Sequence, residues 1–554
     1  MKSANLLYRR LGIFFISGLW FASASCNMLE QQIDRTAGGP GVPADTAVSM
    51  RLDSMEPPDA KVPQMVSPGP LRVTIAEAIL LTLENNRALV VERLNPSIQK
   101  TFEDQERAVF DPEANAEISG GRTDSQRLAR IGVDAQDETI DSVDGVISLE
   151  QFFPTGTTVA VEGSSLMTDS SLNQDKFYTT RFGITFTQAL LRGFGTQVNL
   201  ARLKQARLDT RLTEYELRGF TEFLVAQVER TYWDYALARR QIEIFEESLK
   251  LARQQLNETE ELIGVGRLAE AELAAVQAEV AAQEQGLINA RSSMESIRLQ
   301  LLRLLNPPGI RLWQRKVDLI HQPTLPEIKL DDVEQYVAVS MRMRPELNEA
   351  RLGVLRDDLE LVRTKNGLLP LMNLFITLGK SGYADSFGES VSDIDGDNYD
   401  ALAGVRFQYP FWNRDAKAGH ERALLSREQA EKALANLSQL VEVDVRTAYI
   451  EVTRAKQQIA ASTATRVFNE EKLRIETEKF RVGKSTSFLQ AQAQRDLLVS
   501  RINEVQALAN YLIALIDLYQ KDGSLLERRG ISAPGREPVK LSKKIKKAKS
   551  KCGL

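Results

Sequence analysis

Hydrophobic positions in the second half of the chain recur at helical spacing. Between positions 434 and 459 the apolar residues step by three and four and share one narrow stripe: Leu434, Leu437, Val441, Val445, Ala448, Val452, Ala455 and Ile459. The spacing predicts a helix from about Ala416 to Phe480, roughly 95 Å long at about 1.5 Å per residue. A helix of that length cannot be buried in one globular core, so we expect it to pack lengthwise against similar helices, as in a coiled coil.

Shorter segments alternate between apolar and polar residues, which predicts strands at about 111–190 and 370–410. The predicted apolar face of the second group comprises Met372, Leu374, Ile376, Leu378, Ala401, Ala403, Val405, Phe407 and Tyr409, and the opposite face comprises Asn373, Thr377, Arg406 and Gln408. In the first group "GVISLEQFF", "TTVAVEG" and "RFGITFTQ" alternate similarly, over a span with room for about one extra hairpin. Such strands fit a sheet between lipid and water, and soluble antiparallel sheets alternate in the same way.

The two halves of the chain share a pattern at a constant offset of 217 positions. Residues that fall on the same type are Tyr232, Ala238, Gln241, Ile242, Val265 and Gly266, matched by Tyr449, Ala455, Gln458, Ile459, Val482 and Gly483. We therefore predict two tandem repeats, 71–306 and 341–520, joined by a connector at 307–340. Each has strands followed by a long helical hairpin, at about 195–306 and 414–520, with a Val-Gly-basic turn inside the hairpin.

The N-terminus has the organisation of a secretory signal, predicted at 1–25. Basic residues precede the apolar run "LGIFFISGLWFA", and small residues lead to Cys26. Two processing routes remain open: acylation of Cys26 after a lipoprotein signal, or cleavage at Ala22-Ser23-Ala24. A Pro/Gly-rich linker is predicted at 26–70 and a basic tail at 521–554, read either as solvated or as a binding arm. The only other cysteine is Cys552, so no disulfide scaffold is expected.

Charge and candidate chemistry argue against an enzyme or a nucleic-acid-binding protein. The net charge of −5 is spread over 554 residues, and only His321 and His420 are present. The stretch "GFGTQVNLARL" lacks the third glycine and the setting of a nucleotide-binding loop. The stretch "DIDGDN" at 393–398 has its glycine at the wrong place for a calcium loop, which favours an acidic surface loop. We expect no cofactor and no metal.

Several segments are similar to the TolC-like outer-membrane efflux proteins. "ITFTQALLRGFG" (184–195) resembles the strand-to-helix junction of that family, "FQYPFWNRDAK" (407–417) resembles its second-repeat counterpart, and "TIAEAILLTLENN" (74–86) resembles its opening helix. The resemblance covers about residues 70–520. It implies an α+β membrane protein with transmembrane β-strands and coiled-coil-like helical hairpins.

The resemblance also implies an assembly and partners. Members of the family are homotrimers that form one β-barrel in outer-membrane lipid and one α-barrel in the periplasm. They form passive conduits that serve an inner-membrane pump through a periplasmic adaptor. The usual member contributes two strands per repeat, whereas the first repeat here has four candidates, so either the barrel is wider or one hairpin lies outside it.

The family places its adaptor-docking sites at the tips of the helical hairpins. By this resemblance the docking residues are Val265, Gly266, Arg267, Val482, Gly483 and Lys484. Some members narrow the channel mouth with acidic residues near the second tip, where this chain has glutamines. Candidates for an aperture are Glu270, Glu272, Gln490 and Gln492. The alternative function is a periplasmic coiled-coil adaptor or scaffold, although adaptors typically have one helical hairpin and this chain shows two.

Overall fold

A computed structural model of the chain describes residues 70–127, 136–172, 175–309, 312–320, 325 and 328–541. The predicted signal segment, Cys26, the linker up to residue 69, His321 and Cys552 lie outside the described residues. The chain divides into two compact units. The sheet unit contains Gln99–Asp209 and Val354–Ala430, and the described part of the helical unit contains 70–98, Thr210–Gly353 and 431–541.

The sheet unit is built on one antiparallel sheet of six strands in the order β2-β3-β4-β5-β7-β8. Its strands are β2 (Glu113–Arg127), β3 (Gln136–Phe153), β4 (Thr157–Ser170), β5 (Phe177–Ala189), β7 (Leu371–Ala384) and β8 (Tyr399–Gln408). Four strands come from the first half of the chain and two from the second. The β2–β3 hairpin is continuous with the rest because β3 pairs along its length with both β2 and β4.

Two further strands, β1 (Leu71–Val73) and β6 (Val317–Leu319), form a small parallel sheet in the helical unit. The helices are α1 (Ile75–Asn85), α2 (Arg87–Glu92), α3 (Asn95–Arg107), α4 (Thr196–Asn199), α5 (Ala201–Gly264), α6 (Ala271–Leu305), α7 (Val333–Met343), α8 (Pro345–Gly367), α9 (Phe387–Ser392), α10 (Arg414–Arg481), α11 (Ser487–Lys521) and α12 (Leu525–Arg528). Short 3-10 turns lie at Ala108–Phe110, Leu312–Gln314 and Asp393–Asp395.

The predicted long helix is confirmed: α10 runs for 68 residues and α5 for 64. The apolar stripe of α10 is also confirmed, since Val441, Val445, Val452 and Ala455 are each at most 3% exposed. The remaining stripe positions are half-buried. The stripe therefore packs against neighbouring helices, which supplies the stability that helix propensity alone does not provide.

The core of the helical unit gathers side chains from eight helices and the small sheet. Tyr232, Leu301 and Tyr511 are each 0% exposed at its centre. The Tyr232 hydroxyl donates to the carbonyl of Val73 at 3.3 Å, so a buried polar atom is satisfied by the edge of β1. Helix α1 starts at a capping box in which the Thr74 hydroxyl accepts from the Glu77 N–H.

Two ionic contacts join buried side chains of α5 to partly exposed partners around α12. The Glu229 carboxylate is 0% exposed and accepts two hydrogen bonds from the Arg529 guanidinium, each 2.6 Å long. Arg218, 1% exposed, contacts both Glu222 at 3.2 Å and Glu527. Two carboxyl groups thus surround one guanidinium. Burial raises the pKa of Glu222 to about 8, an effect that Arg218 opposes and Glu527 reinforces.

Glu222 should make the stability of the helical unit depend on pH. In the unfolded chain this carboxyl loses its proton near its ordinary pKa of 4.5, whereas in the folded chain it keeps the proton up to about pH 8. The folded state therefore binds more protons between these values, and the free energy of unfolding should fall as pH rises, by about 2–5 kcal/mol in total. Helical circular dichroism during urea unfolding from pH 5 to pH 8 measures the slope. The neutral variant Glu222→Gln should make the slope shallower without removing it, because burial also raises the pKa of Glu349 to about 7 and that of Asp522 to about 6. An equal slope in that variant would contradict the assignment.

Candidate functional site

The two faces of the six-stranded sheet differ in polarity. Residues opposite each other in antiparallel strands point to the same face. One face carries Ile118, Ile147, Val161, Ile184, Ile376 and Val405, and the other carries Glu113, Glu150, Glu162, Arg181, Asp400 and Arg406. The predicted partition of β7 and β8 is confirmed, since Met372 pairs with Phe407 and Leu374 with Val405. Tyr409 lies one residue beyond β8.

The apolar face is uncovered over much of its area. Ile118 is 85% exposed, Ile147 68% and Phe407 62%, although all three are large hydrophobic residues. A continuous apolar surface of this kind marks contact with a membrane or a partner.

An ion pair bridges three strands on the polar face. The Arg181 guanidinium on β5 donates to both carboxylate oxygens of Asp400 on β8, at 3.1 and 2.7 Å. The Arg181 side chain passes over β7, where Gly379 leaves room for it, because a Cβ at position 379 would lie 2.7 Å from the guanidinium. A Cβ at position 183 on β5 would lie equally close to the guanidinium. The polar face is therefore built to hold charged groups.

Asp393 in the acidic segment 393–398 accepts hydrogen bonds from backbone amides of the same chain. The Asp393 carboxylate accepts from the Tyr383 N–H at 3.0 Å, and the Asp393 carbonyl accepts from the Gly396 N–H at 2.8 Å. Among the described residues no three His, Cys, Asp or Glu side chains are grouped so as to hold a metal ion. His420 on α10 contacts the hydroxyl of Thr364 on α8 at 3.1 Å.

The two helical hairpins turn with the same backbone geometry. At the end of α5, Gly266 has φ of +72°, its N–H donates to the Ile263 carbonyl, and the Arg267 N–H donates to the Leu262 carbonyl. This is a Schellman motif, in which a left-handed residue closes the last helical carbonyls.

The end of α10 repeats that motif. Gly483 has φ of +73°, its N–H donates to the Phe480 carbonyl, and the Lys484 N–H donates to the Lys479 carbonyl. The apolar residues before the glycines, Val265 and Val482, are 70% and 67% exposed, and Arg267 and Lys484 are exposed too. Each tip thus presents a bare valine beside a basic side chain, a composition suited to contact with another protein.

Glu272 links the two tips. Its carboxylate accepts from the N–H of Ser487, the first residue of α11, at 3.0 Å. The Thr486 hydroxyl accepts from the Leu489 N–H in the same turn, at 3.3 Å. Two acceptors therefore satisfy the first amides of α11, and the negative carboxylate also suits the positive end of the helix dipole.

Replacing Glu272 with alanine should loosen the start of α11. The lost cap is expected to reduce local stability by about 1 kcal/mol, because the Ser487 N–H loses its acceptor. Amide hydrogen exchange over residues 487–490 should then speed up about fivefold. Glu270→Ala is the matched control, since Glu270 is exposed and should leave that exchange unchanged. Equal exchange in both variants would rule out the cap.

The four aperture candidates differ in their surroundings. Gln490 is 6% exposed, and its amide group contacts Gln255 at 3.1 Å and Thr477 at 3.4 Å within the same chain. Its side chain lies between helices of its own hairpins, and for Gln490 the aperture stays a prediction. Glu272 is engaged as a cap. Glu270 and Gln492 are exposed, and for them the aperture stays a prediction.

None of the helices within the described part of the chain is long and apolar enough to cross a membrane.

The family model described as "Outer membrane efflux protein" matches residues 79–307 and 342–524. The two matched segments together cover most of the chain, and the protein belongs to this family. No curated protein sequence matches the chain.

Solved structures of outer-membrane channels share the fold. The outer-membrane channel OprN is similar at a TM-score of 0.62 and 15% identity, over 81% of this chain and 90% of that one. The CmeC channel of Campylobacter jejuni is similar at 0.61 and 14%, over 86% and 89%. VceC, an outer membrane protein of Vibrio cholerae, is similar at 0.59 and 15%, over 81% and 96%. At these identities the likeness establishes the α+β fold alone.

Membership of the family fixes the class and the location of the protein. It is a TolC-like outer-membrane efflux channel, a transport protein and not an enzyme. It resides in the outer membrane, with its helical portion in the periplasm.

Proposed function

We propose that this chain is the outer-membrane component of a tripartite efflux or type I secretion system. Three copies form one passive conduit, and an inner-membrane pump delivers solutes or proteins to it through a periplasmic adaptor. The sheet of each copy contributes to one closed β-barrel in outer-membrane lipid. The long helical hairpins contribute to one α-barrel in the periplasm.

The observation that carries the proposal is the single sheet with an uncovered apolar face and a charged opposite face. Exposed apolar side chains such as Ile118 and Phe407 are unfavourable in water and favourable in lipid. Lipid also forbids unpaired backbone groups, so a spanning sheet must close on itself. Closure puts Arg181, Asp400 and Glu162 around a water-filled lumen, where charged groups stay hydrated.

The tips support adaptor docking. Both turns combine an exposed valine with a basic residue, and their backbone carbonyls are already satisfied by the Schellman bonds. Their exposed side chains are therefore available to a partner without refolding the turn. The same turn at the end of α5 and of α10 also supports tandem duplication of the chain, in line with the sequence offset of 217 positions.

Envelope fractionation combined with an export assay tests the proposal. The native chain should appear in the outer-membrane fraction as a detergent-extracted trimer that runs on gels above the position of the unfolded chain before heating and at that position after heating. Deleting its gene should raise intracellular retention of an exported dye or secreted protein, and the wild-type gene should reverse the defect. A soluble periplasmic monomer, or outer-membrane trimers whose loss leaves all export unchanged, would overturn the proposal.

A further inference from the structure

The outer strands of the sheet, β2 and β8, are unlike the four strands between them. Every described side chain of β2 is exposed, and in β8 all residues except Gly404 are exposed. The inner strands are mostly half-buried. One edge of β2 and one edge of β8 carry no strand partner among the described residues. Unpaired backbone amides are strongly unfavourable in lipid, so both edges need a partner strand.

The directions and faces of the two edges suit each other. The six strands alternate in direction, so β2 and β8 run oppositely and a β8 edge meets a β2 edge of another copy as an antiparallel pair. The apolar face ends on Ala116 and Ile118 in β2 and on Ala403 and Val405 in β8. Apolar residues then meet apolar residues wherever the register keeps the faces aligned.

The strand ends fix one register. Glu113, the first residue of β2, is level with Thr377 of β7 and Leu402 of β8 when the paired residues are followed across the sheet. β8 continues past that level to Gln408, six residues further. The strand ends that join the helices thus step progressively across the sheet. For the strand ends that join the helices to lie at one height around the assembly, Gln408 must lie opposite Glu113 of the next copy.

This stagger has the size that barrel closure needs. Six residues at about 3.3 Å, over six strands about 4.8 Å apart, correspond to a strand tilt of about 35°. Closed barrels have tilts of about 35–45°. The stagger is present in the single chain before any partner is added.

Charges agree with the same register. When Gln408 lies opposite Glu113, Arg406 lies opposite Asn115 on the polar face. The diagonal neighbours of Arg406 are then Glu113 and Glu117. Opposite charges at such positions stabilise neighbouring strands. Arg406 is exposed, and its only ring contact among the described residues is Phe375 of its own chain, at 5.9 Å.

We propose that β8 of one copy pairs with β2 of the next, with Gln408 opposite Glu113, and that the β2–β3 hairpin is part of the barrel wall. This inference rests on the proposed trimer. Three copies of the six-stranded sheet supply eighteen strands. The diameter of a barrel grows roughly in proportion to strand number, so this barrel is about one and a half times as wide as one with four strands per copy.

Cysteine cross-linking tests the seam, which is the proposed contact between β8 of one copy and β2 of the next. In full-length protein carrying Cys552→Ser, the pair Ser119→Cys with Leu402→Cys lies opposite in this register, on the polar face. Oxidation should convert most chains into covalent dimers and trimers, seen on a denaturing gel without reductant and absent from either single variant. The off-register pair Asn115→Cys with Leu402→Cys should cross-link at least fivefold less. A third pair, Ser164→Cys with Leu402→Cys, reports contact of β8 with β4, as expected if the β2–β3 hairpin lies outside the barrel.

The outcomes separate the seam from the proposed function. Efficient linking of Ser119→Cys with Leu402→Cys in trimers supports the seam. Trimers that link through Ser164→Cys, or through Asn115→Cys, overturn the seam and leave the conduit intact. The absence of any trimer, by native mass of the wild-type protein in detergent, overturns the proposed function itself.

A charge exchange provides a second measurement that does not need cysteine. Arg406→Glu should lower the temperature at which the trimer dissociates into monomers, and adding Glu117→Arg should restore it. Restoration by Glu117→Arg but not by Glu150→Arg, which alters the polar face of β3, supports contact across the seam. Equal restoration by both would overturn the register.

Discussion

Replacing Arg529 with alanine is expected to destabilise the helical unit by about 3–5 kcal/mol. Glu229 is 0% exposed and its two oxygens both accept from this guanidinium. Removing the guanidinium leaves a buried carboxylate without its counter-charge, which is among the most costly changes a protein core can undergo. The midpoint of thermal unfolding, followed by helical circular dichroism, should fall markedly.

A double variant separates the charge from the packing. Glu229→Leu with Arg529→Met removes both charges and keeps similar volumes, so it should recover most of the lost stability. Arg446→Ala is the surface control, because its ion pairs with Glu334 and Glu442 are exposed to solvent and contribute little to stability. If Arg529→Ala unfolds at the wild-type temperature, the ionic contact does not stabilise the unit.

Replacing Gly483 with valine is expected to abolish most export while leaving trimers in the outer membrane. A β-branched residue at φ of +73° costs about 1–3 kcal/mol, which the turn relieves by changing its backbone and the direction of Val482 and Lys484. The proposed docking surface is lost, and export should fall on the order of tenfold or more, as for a 1.4 kcal/mol or larger loss of adaptor affinity. Dye retention and heat-modifiable trimers are measured in the same cells.

Two glycine variants serve as controls for the tip. Gly483→Asn should export nearly normally because asparagine tolerates the left-handed conformation. Gly264→Ala lies near the other tip in ordinary helical geometry with open space around it, so it should have no effect. Normal export by Gly483→Val at normal abundance would reject docking at this tip.

The periodic elements could be predicted from the sequence because their cause is local. A stripe stepping by three and four residues, such as Val441, Val445 and Val452, is a property of one helix and survives in any surroundings that bury it. The alternation in β7 and β8 likewise identified both faces correctly. The extra hairpin in the first half was predicted from the greater length of that repeat, and the sheet contains it, although its first strand, β2, was not among the alternating segments.

The contacts that join distant parts of the chain could not be predicted. Glu272 caps Ser487 across 215 positions, and Arg529 reaches Glu229 across 300. Neither pairing has a periodic or motif signal, because it depends on which helices become neighbours after folding. The contacts of Gln490 with Gln255 and Thr477 between the helices were unpredictable for the same reason.

The alternating strand directions of the sheet limit how the pore diameter of such a channel can change. A hairpin adds one upward and one downward strand, so a lineage that gains or loses a hairpin in each chain keeps the same polarity where copies meet. A single added strand would instead bring parallel edges together, which form a slightly less stable pair. The width of the proposed barrel can therefore change in whole hairpins, while the long helices keep their sequence.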